Sequence, residues 1–206
     1  MSICCTLLCC LLFALVGNAE EIEVNGGFER VVASKTGQVL PEGWLLNTPV
    51  CRDCTVLISK NPAEVRNGNF SLWLEGESSQ NQAYLMRYAS RMEVKPGDIL
   101  RMSVWAQGKG EVSLGVIASG KLPDTGQSLG TRTRTAPRIA VDSPETWQKC
   151  EFTLEVRPIR KNDLVFTDLS YVPIIYTFNM DVLLLDDCTF VLERKEEKSA
   201  ASEQEN

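Results

Sequence analysis

"VKPGDILRMSVWAQG", residues 94–108, opens on a proline–glycine turn and continues as a strict alternation. Leu100, Met102 and Val104 fall on one side of an extended chain; Arg101, Ser103 and Trp105 fall on the other. Successive side chains of a strand point to opposite faces, so this period of two puts an apolar face against a core and leaves a polar one outside. Pro96 supplies the fixed φ and Gly97 the permissive one that a tight reversal needs. The stretch reads as a half-buried strand entered from a turn.

The same signature recurs to either side. "FSLWLEG" (70–76) sets Phe70, Leu72 and Leu74 against Ser71, Trp73 and Glu75. "AYLMRYASRMEV" (83–94) reads as one long strand running into the Pro96 turn, and "EVSLGVIAS", "WQKCEFTLEV" and "DVLLLDDCTFVL" add more. No segment sustains an apolar stripe of period 3.6. Strands joined by Gly, Pro, Asn and Asp turns, with no helices between them, predict an all-β fold, an antiparallel β-sandwich. Two segments read as irregular: a long Gly-, Thr- and Pro-rich loop over 119–137, and a charged tail over 193–206 with no apolar anchor.

The chain begins with "MSICCTLLCCLLFALVGNA", a short apolar run ending in small residues. It reads as a signal peptide over 1–19, removed before Glu20, with an uncleaved anchor as the alternative. Export to the outside, the periplasm or the cell envelope follows, and residues 20–192 remain as one domain long enough for a sizeable core. Net charge is −6 with scattered Lys and Arg, which excludes nucleic acid as a natural partner because phosphate binding needs a concentrated basic surface.

The sequence contains no histidine. Ser-His-Asp and Cys-His catalysis, His-ligated metals and the usual proton shuttle are therefore excluded. A glycosidase with two carboxylates needs no histidine, but the spacing of Glu75, Glu77 and Glu93 singles out no pair, and the chain reads as not an enzyme. Outside the signal the cysteines are Cys51, Cys54, Cys150 and Cys188. In an oxidising compartment "CRDC" reads first as a Cys51–Cys54 disulfide, with a redox pair or half of a zinc site as alternatives and Cys150 and Cys188 as free buried thiols.

The order "VNGGFE", "PEGW", "RNGNFSLWLEG", "VKPGDILRMSVWAQG", "ETWQKCEFTLEV", "VLLLDDCTFVL" resembles the carbohydrate-binding modules of families 4 and 9 over about residues 21–192. That resemblance implies a galactose-binding-like jelly roll in which the first and last strands lie together. It also implies a structural calcium ion near the chain ends, held by the carbonyl of Gly27 and the carboxylates of Glu29 and Asp186. Gly68 is a further carbonyl candidate and Asp187 the competitor to Asp186. Calcium takes hard oxygen ligands of this kind.

Sugars are recognised by aromatic rings against their C–H faces and by planar polar groups on their hydroxyls. Trp73 and Trp105 lie opposite the aliphatic positions of their strands, Gln107 continues the register of Trp105, and Arg87 alternates with Ala83 and Leu85. These four form the expected ligand face. Tyr84 and Tyr88 are weaker candidates, and a roof formed by the 119–137 loop over the tryptophans is the bland alternative. Trp44 and Trp147 read as core. The function expected is a noncatalytic exported module binding a poly- or oligosaccharide. The alternative is a structural or protein-interaction module of the same fold at the cell envelope.

Overall fold

The computed structural model describes residues 19–33, 39–47, 50–122 and 124–195. The chain runs through β1 (Ala19–Glu21), β2 (Val31–Ala33), β3 (Val39–Pro41), β4 (Leu45–Leu46) and β5 (Cys54–Ser59). After a 3-10 turn at Pro62–Glu64 come β6 (Ser71–Gly76), β7 (Gln82–Met86), β8 (Met92–Val94) and β9 (Ile99–Gly120). Then follow β10 (Arg132–Thr135), β11 (Ile139–Glu155), β12 (Ile159–Lys161), β13 (Leu164–Phe166), β14 (Leu169–Phe178) and β15 (Val182–Glu193). Among the described residues there is no α-helix.

Residues 99–108 of the alternating stretch lie in β9, which belongs to both layers of the sandwich. Its first half pairs with β15 and the second half of β11; its second half pairs with β14, β10 and the start of β11. The corner falls at Gly108, whose φ of +113° suits glycine and where a Cβ would meet the Val182 carbonyl oxygen at 2.1 Å. One curled antiparallel sheet, ordered β4-β7-β14-β9-β15-β6-β5, therefore folds over into a jelly-roll sandwich.

Between the layers the alternation is satisfied. Leu72, Leu74, Leu100, Met102, Val104, Leu183 and Leu185 of the first layer face Leu85, Val112, Leu114, Val116, Tyr171 and Ile175 of the second, all buried. Each such aliphatic side chain contributes ~1.5–3 kcal/mol by leaving water. Trp44 joins them, edge-on to Phe28 at 6.1 Å. The ends of the described chain meet: β1 pairs antiparallel with β15, Ala19 opposite Glu193.

Several expectations are corrected here. The single strand expected over 83–94 is two, β7 and β8, both pairing with β14. Opposite the break stands Pro173 of β14, whose carbonyl accepts from Arg87 N–H but which has no N–H to return. The 119–137 loop is shorter than expected: β9 runs on to Gly120, β10 pairs back onto it, and Leu129 is buried in the core. Trp147 is half-buried rather than core, because it lies where the pairing of β11 with β9 slips between Ser143 and Gln148. β15 extends one residue past the expected tail boundary, and Lys195 N–H still donates to Asp98 at 3.0 Å. The signal segment, apart from Ala19, and the tail from 196 onward lie outside the described residues.

Candidate binding face

Three of the four expected ligand residues share one surface, the outward face of the first layer. Leu57, Trp73, Leu184 and Gln107 sit in one cross-strand row, with Trp105 one row along beside Asp186. The chain between β5 and β6 covers part of this face. Its Glu64 lies near Gln107 and Leu184, and the Arg66 guanidinium lies 3.9 Å from the Trp105 ring centroid while pairing with Asp187. One face of Trp105 is thus occupied by an arginine that is itself held, and the cover comes from residues 60–70 rather than from the 119–137 loop. Beside Trp105 runs a cleft of about 730 Å³ bounded by the N-terminal segment and Lys149. Gln107 Nε2 donates to Pro144 O at 2.9 Å.

Arg87 is elsewhere. Ala83 and Leu85, with which it alternates, are core residues, so the shared parity turns Arg87 inward. It is 7 % exposed, packed beneath the turn at Gly43, with Glu23 and Glu42 near enough to oppose the effect of burial on its charge.

Glu29 and Asp186, the expected cation ligands, come from opposite ends of the chain and grip one loop. Asp186, fully buried, accepts from the N–H groups of Arg66 (3.0 Å), Asn67 (3.2 Å) and Asp187 (2.7 Å). Glu29 accepts from Asn69 N–H and Phe70 N–H. Burial pushes the Asp186 carboxyl up to about 6. Gly27 stands beside both regions: a Cβ there would lie 3.7 Å from Asp187 Oδ1 and from Glu29 Cγ. Its neighbour Gly26 packs directly on the last strand, with Cys188 N–H donating to its carbonyl at 2.9 Å. Among the described residues no three acidic or sulfur side chains converge, so a cation here would complete its shell with backbone carbonyls. Glu29 and Asp186 carry oxygens of the kind calcium takes, each already accepting from backbone amides.

The outward face of the second layer was not read from the sequence. Along β14 it carries Ser170, Val172, Ile174, Tyr176 and Phe178, which alternate with the core residues Leu169, Tyr171 and Ile175. Tyr176 stacks on Tyr84 of β7 at 4.2 Å with the rings 4° from parallel, and Phe178 follows at 5.6 Å. The Arg138 guanidinium lies 3.8 Å from the Phe178 centroid and is anchored by Glu111 at 2.9 Å. Burial pushes the Tyr84 and Tyr176 hydroxyls up.

The other end of β14 is polar. Ser170 and Ser119 share a hydrogen bond of 3.0 Å, and Arg91 donates to Ser170 at 3.4 Å. Arg91 also stands 5.7 Å from the ring of Tyr88, which is 54 % exposed. Arg91, Ser119 and Ser170 line a cleft of about 640 Å³ together with Glu93, Lys121 and Asp168. From Ser170 to Phe178 is a span of about 27 Å along the strand, with an arginine and an aromatic ring at each end.

The expected Cys51–Cys54 disulfide is not formed: both residues are free thiols, each directed at the backbone of β7. Cys150 and Cys188 are free and buried, and burial pushes both thiols up.

The sequence matches no family model and no curated protein. Its fold, a β-sandwich, is one seen in solved carbohydrate-binding modules, and the two named next are of family 22 rather than 4 or 9. One is the CBM22-1 xylan-binding domain from Paenibacillus barcinonensis Xyn10C, at TM-score 0.50 and 14 % identity over 87 % of this chain and 97 % of that one. The CBM22-1-CBM22-2 tandem of the same protein gives 0.53 and 12 %, over 93 % of this chain and 50 % of that. The enzymatically active domain of bacteriophage CBA120 tailspike protein 4 gives 0.50 and 12 %, over 84 % of this chain and 21 % of the tailspike. The likeness is one of fold.

Proposed function

We propose that this chain is a noncatalytic, exported carbohydrate-binding module whose glycan is held at the ends of the outward face of the second layer; Val172 and Ile174 between them are buried. The observation that carries this reading is the pairing of arginine with an aromatic ring toward both ends of β14: Phe178, stacked on Tyr176, with Arg138, and Tyr88 with Arg91. Rings supply flat apolar contact for pyranose C–H faces, and guanidinium and carboxylate groups fix hydroxyls. Ser119, Ser170, Glu111 and Glu93 add polar partners on the same surface. The expected face at Trp73, Trp105 and Gln107 carries one such pair, Arg66 on Trp105, where the second layer carries two. A structural calcium ion belongs to the same proposal. Glu29, Asp186 and the Gly27 carbonyl would hold it, and it would supply positive charge to a buried carboxylate.

A glycan array followed by affinity electrophoresis tests the reading with Tyr176→Ala, Tyr88→Ala and Trp105→Ala proteins. Loss of one stacking ring weakens binding about tenfold at most per ring. The expected result is clear weakening in both tyrosine variants and none for Trp105→Ala. Weakening by Trp105→Ala alone would move the site to the first layer. Failure to bind any glycan would favour an interaction module with a protein or envelope partner.

A further inference from the structure

Positions 51 and 54 have opposite parity, so on an uninterrupted strand their thiols would point to opposite faces. They do not. Asp53 takes φ of +45° between the Arg52–Gln82 bridge and the start of β5, a left-handed residue that resets the parity. Asp53 is held there by its carbonyl, which accepts from Glu77 N–H at 2.7 Å, and by its carboxylate, which accepts from Ser78 at 3.0 Å. Both sulfurs therefore turn toward the same stretch of β7. Cys54 Sγ donates to Gln82 O at 3.1 Å, and Tyr84 N–H donates to Cys51 Sγ at 3.2 Å.

The two thiols differ chemically. The neighbouring Cys54 thiol and the Tyr84 amide both favour a Cys51 thiolate; the first is the larger effect, and against burial they bring it down to about 7. The neighbouring Cys51, burial and nearby Glu77 all disfavour a second thiolate, so the Cys54 thiol is pushed up. The other titratable groups facing the pair are the Tyr84 and Tyr176 hydroxyls, both neutral at pH 7 because burial pushes them up. Neither residue is fully buried.

We propose that Cys51 and Cys54 form a thiol–disulfide exchange centre, with Cys51 the attacking thiol and Cys54 the resolving one. The oxidant is a small-molecule disulfide. The Cys51 thiolate attacks one of its sulfurs, forming a mixed disulfide and expelling one thiolate. The Cys54 thiolate then attacks Cys51 Sγ, expelling the second. The protein loses two electrons and two protons, and the reagent becomes two thiols.

The test exposes the full chain to glutathione redox buffers, quenches it with acid, alkylates it and maps the products by peptide mass. The expected result is joint loss of the Cys51 and Cys54 thiols as an intramolecular disulfide, with Cys150 and Cys188 unchanged. Cys54→Ser should trap glutathione on Cys51, whereas Cys51→Ser should leave Cys54 unmodified at pH 7. In wild-type protein, iodoacetamide should label Cys51 at least about tenfold faster than Cys54 at pH 7, the Cys51 rate rising with a midpoint near pH 7. This last measurement decides the matter even if a serine variant fails to fold. Equal labelling of the two residues, or thiols that stay reduced in excess oxidised glutathione, would overturn the proposal.

Discussion

At the scale of single residues, Asp186 bears the largest electrostatic burden. Its folded pKa of about 6 stands above the ordinary 3.8, because burial outweighs three amide donors. A raised acid pKa means that the folded state holds the proton more tightly than the unfolded one between pH 4 and 6. Stability should therefore fall as pH rises through that window, by about 3 kcal/mol in total for a shift of this size. Calcium at this carboxylate favours the charged form and should flatten or reverse the slope. Urea unfolding from pH 4 to 7, in chelator and in calcium, checks both statements; Asp186→Asn should remove the slope whatever it does to absolute stability. A calcium-independent profile would argue against the ion. The residue scale is also where reading the sequence failed most. Arg87 was placed outside because its strand parity was assigned without knowing that Ala83 and Leu85 face the core. Trp105 faces outward as its parity predicts, but nothing local announces that Arg66, which precedes it by three strands in the chain, lies on its ring.

Among the elements, the strands with one wet face were legible and the one most relevant to function was not. β6, β9 and β15 alternate visibly because one of their faces meets solvent or a loop. β14 is a nearly unbroken apolar run, "LSYVPIIYTF", interrupted by a proline. Flanked by strands on both sides and half of its outward face buried, it shows no clean period of two, and Pro173 argues against a central strand. Its proline is tolerated because the facing chain breaks between β7 and β8. Tyr176 and Phe178 could have been found by asking which aromatics alternate with Ile175 and Thr177. The corner in β9 makes the prediction at this scale. Gly108→Ala introduces a methyl group 2.1 Å from the Val182 carbonyl oxygen at a φ that alanine resists, and should cost about 2–4 kcal/mol. A shift in the urea midpoint at unchanged m-value would register it; a loss below ~1 kcal/mol would mean that the corner relaxes freely.

For the whole molecule, the all-β sandwich follows from alternation and turn residues alone, since nothing else buries so many period-two faces with no helices available. What escaped was which outward surface stays free, a property of loops that fold back from a distance. The pairing of Ala19 with Glu193 has a mechanical corollary. Because β1 and β15 run antiparallel with their free ends side by side, tension applied to the two termini acts across their hydrogen bonds, not along them. The bonds should then fail one at a time, like a zipper, rather than resisting together in shear. Stretched between two anchors in a force spectrometer, the domain should shed its first strand at low load and yield extra length before the body of the sandwich gives way.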